Sequence, residues 1–290
     1  RMHDDGYPHL IGHDFHTPWR ARRIAHVLGS HDGHDVAGMA ALQVDVMSLS
    51  ARENVPLLLG RVEAAATHGS ALAVLGSWDG AMTADSAATA IYQTWCGHIA
   101  RLWLVPRLGE ELFGRYHAWR EPFQCGALAG LLRDGALEGD LLGEALEAAL
   151  AELRQRLGDD AASWRWGDLH RVALAHPLAA IPGLEELFVA LEAGVGGDDQ
   201  TVLQTGVDAR DGGFPAAVIP SWRAVYDLGD LDRSVGVLPT GNSGNPASAH
   251  WNDQAALWLA GETHPLPFSR AAVETASVAM ARLVPGSISG

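Results

Sequence analysis

The spacing of apolar residues changes once along the chain, and that change limits the fold more than any other feature. From about Thr17 to Ala193, the runs RARRIAHVL, AGMAALQVDVMSLSARENVPLLLGRVEAAA, SAATAIYQTWCGHIARLWLVPRLGEELF and GDLLGEALEAALAELRQRLG place apolar residues along one helical face. The second run is expected to stay helical through Pro56, after the capping chemistry of SHDGHD at its start. The last run sets Glu and Arg for pairing on its solvent side. After Gly194, glycine and proline become frequent, and TVLQTG, AAVIPSWRAVYDL and SVGVLP read as short strands. Helical spacing returns at WNDQAALWLAG and SRAAVETASVAMARLV. The expected class is α+β: residues 1–193 mainly helical, residues 194–290 strands plus two helices.

Composition then removes several functions. The net charge is −15, so attraction to nucleic acid or to an anionic membrane surface is not expected. All twenty basic residues are arginine, which excludes lysine Schiff-base chemistry and a Walker-type phosphate loop within these residues. Two cysteines, Cys96 and Cys125, leave room for at most one bridge and no disulfide framework. No apolar run is long enough to span a bilayer as a helix.

Two polar clusters invite a chemical reading. Seven of the fourteen histidines, at positions 3, 9, 13, 16, 26, 31 and 34, lie among Asp4, Asp5, Asp14, Asp32 and Asp35. A metal-dependent hydrolase would need two or three of them to converge on one point. Nothing here resembles HExxH, and solvated loop or cap residues are the expectation. Ser243, His250 and Asp253 could form a nucleophile, base and orienting acid. They occupy a single loop and helix start, and GNSGN is not a nucleophile elbow. The expected structure is a self-bonded turn in which Pro239 ends a strand and Asn252 or Asp253 begins a helix.

A third set is informative through its order. YPHLIGHDFHTPWRARRI is followed by LQVDVMSLSA, WGDLHRVALAHPL, GGDDQTV and PSWRAVYDLGDLDRSVGVLPTGNSGNPASAHWNDQAALWLAGETHPLPFS. From about Tyr7 to Pro285 this series resembles the C-terminal part of the β-chain of penicillin acylases and related N-terminal nucleophile (Ntn) amidohydrolases. Two departures are Asn242, where the family usually has glutamine in GQSGNP, and Leu203, where it usually has a short polar residue.

The resemblance implies the C-terminal part of an Ntn-hydrolase αββα fold. It implies hydrolysis of N-acyl compounds through an acyl-enzyme, with no cofactor required. In such enzymes a processed β-chain starts with the nucleophile, whose own α-amino group serves as base, and an asparagine helps hold the oxyanion. Both elements would lie upstream of Arg1, so the resemblance implies an incomplete piece, inactive alone, whose partners are an α-chain and the N-terminal β-chain segments of one precursor. The start RMHDDGYPHL, with neither an initiator Met nor a signal-peptide pattern, fits that reading. Arg20 aligns best with the arginine beside the catalytic asparagine, with Arg22 or Arg23 as alternatives; Asp14 lies near a carboxylate ligand of a structural calcium. The family also implies a periplasmic or secreted location. The competing class is a non-catalytic binding module derived from the family.

Overall fold

The computed structural model describes residues 6–9, 12, 17–63, 68–118 and 122–283. The first part is helical: α1 (Trp19–Leu28), α2 (Val36–Gln43), α3 (Leu49–Leu59), α4 (Gly69–Gly76), α5 (Ala87–Tyr116), α6 (Leu128–Arg133), α7 (Gly139–Leu157) and α8 (Trp166–Leu169). The long α5 and α7 pack along each other at the centre. Leu142, Ala145, Leu146, Ala149, Leu150 and Leu153 form the buried stripe of α7. It faces Ile91, Trp95, Ile99 and Ala100 of α5 within one apolar cluster, the packing that a three-to-four residue period predicts. The Trp95 indole N–H donates to the Leu142 carbonyl at 2.9 Å, so even this buried donor is satisfied. On the solvent side of α7, Arg156 pairs with Glu152 at 2.8 Å, as the charge spacing predicts.

The second helical run does not continue unbroken. It divides into α2 and α3 across a non-helical stretch, residues 44–48, that turns at Val44 and is extended at Ser48. Asp35 caps α2 by accepting from the Gly38 amide at 2.7 Å, and Ser48 caps α3 through the Ala51 amide at 3.1 Å. Between them the Asp45 carboxylate accepts from the Met47 amide, and Met47 bridges Ala81. A side-chain acceptor for a nearby amide competes with the helix, and β-branched Val44 and Val46 favour the extended alternative.

Strand structure begins at Arg171, upstream of the change in glycine and proline content. The strands β1 (Arg171–Ala175) and β2 (Val189–Gly194) form an antiparallel hairpin with Val172 opposite Ala193. Its alternation is too short to stand out beside the helical runs before it. TVLQTG supplies less strand than its propensity suggests: Thr201–Leu203 bend, Gln204 bridges Asp198, and β3 is only Gly206–Val207. The next run is cut by Pro220 into β4 (Ala216–Val218), paired with β3, and β5 (Arg223–Val225). A three-stranded sheet follows in the order β5, β6 (Val235–Val237) and β7 (His264–Pro265). Trp258, on α9 (Ala255–Ala260), packs with Val172, Val195, Ala216 and Val237 in a second core cluster. The helix α10 (Arg270–Ala276) is capped by Ser269. Helices in a majority and small antiparallel sheets make the class α+β.

Candidate functional site

The start of α1 lies against the loop 196–206, held by two direct contacts and by a third made through Asp45. The Thr17 hydroxyl donates to Gln200 Oε1 at 2.7 Å. One turn on, Arg20 Nη1 donates to Gln204 Oε1 at 2.5 Å. Arg23 forks onto Asp45, with Nε 3.1 Å from both carboxylate oxygens and Nη2 2.6 Å from Oδ2. That bond, and the charge beside it, raise the Arg23 guanidinium above its ordinary range. Asp45 also joins the loop through its backbone, whose carbonyl accepts from the Leu203 amide at 2.9 Å. Arg20 and Arg23, three residues apart, share one face of α1, and Thr17 lies just before the helix. Arg22 points elsewhere, exposed and over the Trp19 ring at 5.4 Å.

The loop is shaped by Asp198. Its Oδ1 accepts from the Gln200 and Thr201 amides at 2.7 and 2.9 Å, and its Oδ2 from Gln93 Nε2 of α5 at 3.4 Å. The Asp198 backbone completes the knot: its N–H donates to Thr201 Oγ1, and its carbonyl accepts from the Thr205 amide. Asp198 is 2% exposed, and burial pushes its carboxyl above the usual carboxylate range against the lowering pull of those donors. Gly197 precedes it at φ +86°, where a Cβ would meet Leu203 O at 2.5 Å and Thr205 Oγ1 at 2.7 Å. Only glycine fits that turn.

The result is a guanidinium held by a glutamine on a rigid loop. Such a planar donor array can fix neighbouring amide and carbonyl groups in one orientation. The sequence pointed to Arg20 and left Gln204, Gln200, Thr17 and Asp198 unassigned. A signal was present: GGDDQTVLQTG carries more amide and hydroxyl side chains than a strand needs.

Asp14 lies outside the described residues, as do His3, His13 and His16 of the histidine cluster. The His31 and His34 rings are tilted by 45° with centroids 4.4 Å apart. Among the described residues no group of three or more His, Cys, Asp or Glu converges as a metal site. Cys96 is a thiol buried in the helical core.

The structure does bring part of the Ser243 cluster together. His250 Nδ1 is 2.7 Å from Asp253 Oδ2, and both side chains are exposed. The Ser243 hydroxyl, however, accepts from the Asn245 amide at 3.2 Å, and no hydrogen bond joins it to His250 among the described residues. The segment is a turn tied to itself. The Ser243 amide donates to the His250 carbonyl, and Asn245 Oδ1 accepts from the Ala247 amide. A Cβ on Gly241 would meet the His250 carbonyl at 2.2 Å. Neither Asn252 nor Asp253 caps α9. Asn252 reaches the Ala190 carbonyl, Asp253 holds His250, and Gln254 precedes the helix while its side chain accepts from the Leu238 amide at 2.8 Å.

The order of motifs and the fold have an external match. The family model for penicillin amidase matches residues 1–275. The chain belongs to the penicillin amidase family. It is 33% identical to penicillin acylase 2 proenzyme of Pseudomonas sp. (strain SE83), over 98% of this chain and 38% of that protein. It is 28% identical to acyl-homoserine lactone acylase QuiP of Pseudomonas aeruginosa, over 91% of this chain and 36% of that protein. The chain thus spans little more than a third of the length of these curated relatives. Among solved structures it resembles a thermostable penicillin G acylase from Alcaligenes faecalis, with a TM-score of 0.56 at 15% identity over 98% of this chain and 56% of the other. That likeness places the fold with the Ntn hydrolases.

Proposed function

We propose that this penicillin amidase family chain is one part of an amidase that hydrolyses N-acyl compounds through a covalent acyl-enzyme. In this reading Arg20 steadies the catalytic groups and the nucleophile is supplied by another part of the whole protein. The observation that carries it is the Arg20–Gln204 contact. An arginine on a surface helix has no need of a glutamine partner on a loop knotted around a buried aspartate. A guanidinium that must hold an asparagine amide and an α-amino group does need such support, because misplacement by an ångström is costly in rate. The related proteins are named for penicillin and for acyl-homoserine lactones, so the candidate substrates are small molecules with an acyl group on nitrogen. The test uses the product of the whole gene and an N-acyl chromogenic substrate. Arg20→Lys keeps the charge but not the fork, and kcat should fall by about 10–100-fold. Unchanged kinetics would remove Arg20 from the site. Absence of any acylase activity in the unaltered protein would favour a binding module instead.

A further inference from the structure

A cavity of about 320 Å³ lies between the end of α2, the end of β2, the loop 203–205, β5 and α9. Its walls include Val44, Val195, Leu203, Thr205 and Trp258, and one charged residue, Arg223. Arg223 is 4% exposed, although arginine is almost never fully buried without a partner. Its partners here are weak for a buried cation. Nη2 donates to the Trp258 carbonyl, the guanidinium lies over the Trp258 ring with 5.2 Å to its centroid, and Nε is buried with no hydrogen-bond acceptor among the described residues. Arg223 forms no ion pair with the described residues, whereas Arg23, Arg101, Arg133 and Arg210 each meet a carboxylate. The loss of water alone brings the guanidinium down to about 10. A desolvated charge of this kind is stable only when an opposite charge or further acceptors reach it.

We propose that Arg223 anchors a carboxylate-binding site in this cavity, taking a monocarboxylate with a short aliphatic stem. The charge argues for one negative unit, since among the described residues no second cation lines the cavity to balance a dianion. The planar fork matches two carboxylate oxygens. The walls argue for the stem, being largely aliphatic and indole, and the volume falls near the lower end of small-molecule sites, at roughly 300 Å³. The same loop turns Gln204 toward Arg20 while Leu203 and Thr205 line this cavity, so an occupant would touch the loop on which the candidate site rests. The carboxylate could come from a free organic acid or from an acidic side chain of the same protein outside the described residues.

Calorimetric titration of the whole gene product with hexanoate, and with hexanamide as the uncharged match, tests the proposal. Hexanoate should bind at one saturable site, and hexanamide should bind more weakly by roughly thirty-fold or more, the effect of losing one member of a buried charge pair. Arg223→Gln should abolish the difference. Leu203→Trp, which fills the cavity and leaves Arg223 in place, should block hexanoate even if the arginine variant misfolds. If hexanoate does not bind, a crystal structure of the whole product should place an Asp or Glu oxygen on Arg223 Nε, which would assign the carboxylate to the protein itself. The site is refuted if acid and amide bind alike, if binding survives Arg223→Gln, or if neither ligand nor internal carboxylate meets Arg223.

Discussion

Asp198 offers the sharpest test of the loop that carries Gln204. In Asp198→Ala, the Gln200 and Thr201 amides lose their acceptor inside a buried turn. Each such loss costs about 1–3 kcal/mol. The substitution also removes a carboxylate whose burial is unfavourable, which offsets part of that cost. The net expectation is a destabilisation of about 2–4 kcal/mol. Asp198→Asn keeps an Oδ1 for both amides and sheds the charge; Gln93 can turn its amide to suit the new donor. It should therefore lie within about 1 kcal/mol of the unaltered protein at neutral pH. The pH dependence has a definite sign. The folded-state pKa of Asp198 is raised above 3.8 by burial, so the folded state holds the proton more tightly than the unfolded one. Its contribution is most favourable below 3.8 and is lost as pH rises through the raised folded value. Urea denaturation between pH 4 and neutrality, for the unaltered protein and both variants, measures all three expectations. Asp198→Asn should lack this part of the slope. Equal destabilisation by Asn and Ala, or an Ala variant within about 0.5 kcal/mol of the unaltered protein, would refute the account of the loop.

Other expectations follow from single contacts. Gly197→Ala forces a Cβ into the Leu203 carbonyl at positive φ and should cost about 1–3 kcal/mol in a chemical melt; a neutral result would mean that the turn can relax. Leu146→Ala, at a position with no exposure in the α5–α7 interface, should cost about 2–5 kcal/mol by the same measurement. Ser243→Ala should leave acylase kinetics of the whole gene product unchanged, since its hydroxyl serves the Asn245 amide; loss of turnover would revive the local triad. Residues 1–290 produced alone should associate in sedimentation or light scattering, because Trp222, Tyr226, Leu228 and Phe268 stand exposed around the last sheet. A monodisperse monomer with a sharp cooperative melt would count against that expectation.

The sequence by itself located the long helices α5 and α7 and the faces they bury. The stripe on α7 and the cap Asp35 follow from interactions within a few residues, which is why periodicity and capping rules can read them; the cap Ser48 is as local, yet it lies inside a run that reads as one helix. The order of motifs gave the family for a related reason: each is a local string. What the sequence left undecided depends on contacts between distant residues. The break between α2 and α3 is fixed partly by Asp45, which meets Arg23 from another helix. The hairpin β1–β2 owes its form to pairing, and its short strands carry little pattern of their own. Asn252 and Asp253 look like cap residues in sequence, yet their side chains find better partners in Ala190 and His250. Gln204 is one polar residue among many until the fold sets it 2.5 Å from Arg20, across 184 positions of chain. Arg223 reads as one more surface arginine, and only the fold, which sets α2 and β6 against β5 and brings the Trp258 carbonyl to its guanidinium, removes its water. Local rules carry the energies of neighbours along the chain; desolvation and long-range hydrogen bonds exist only once the tertiary structure has brought the partners together.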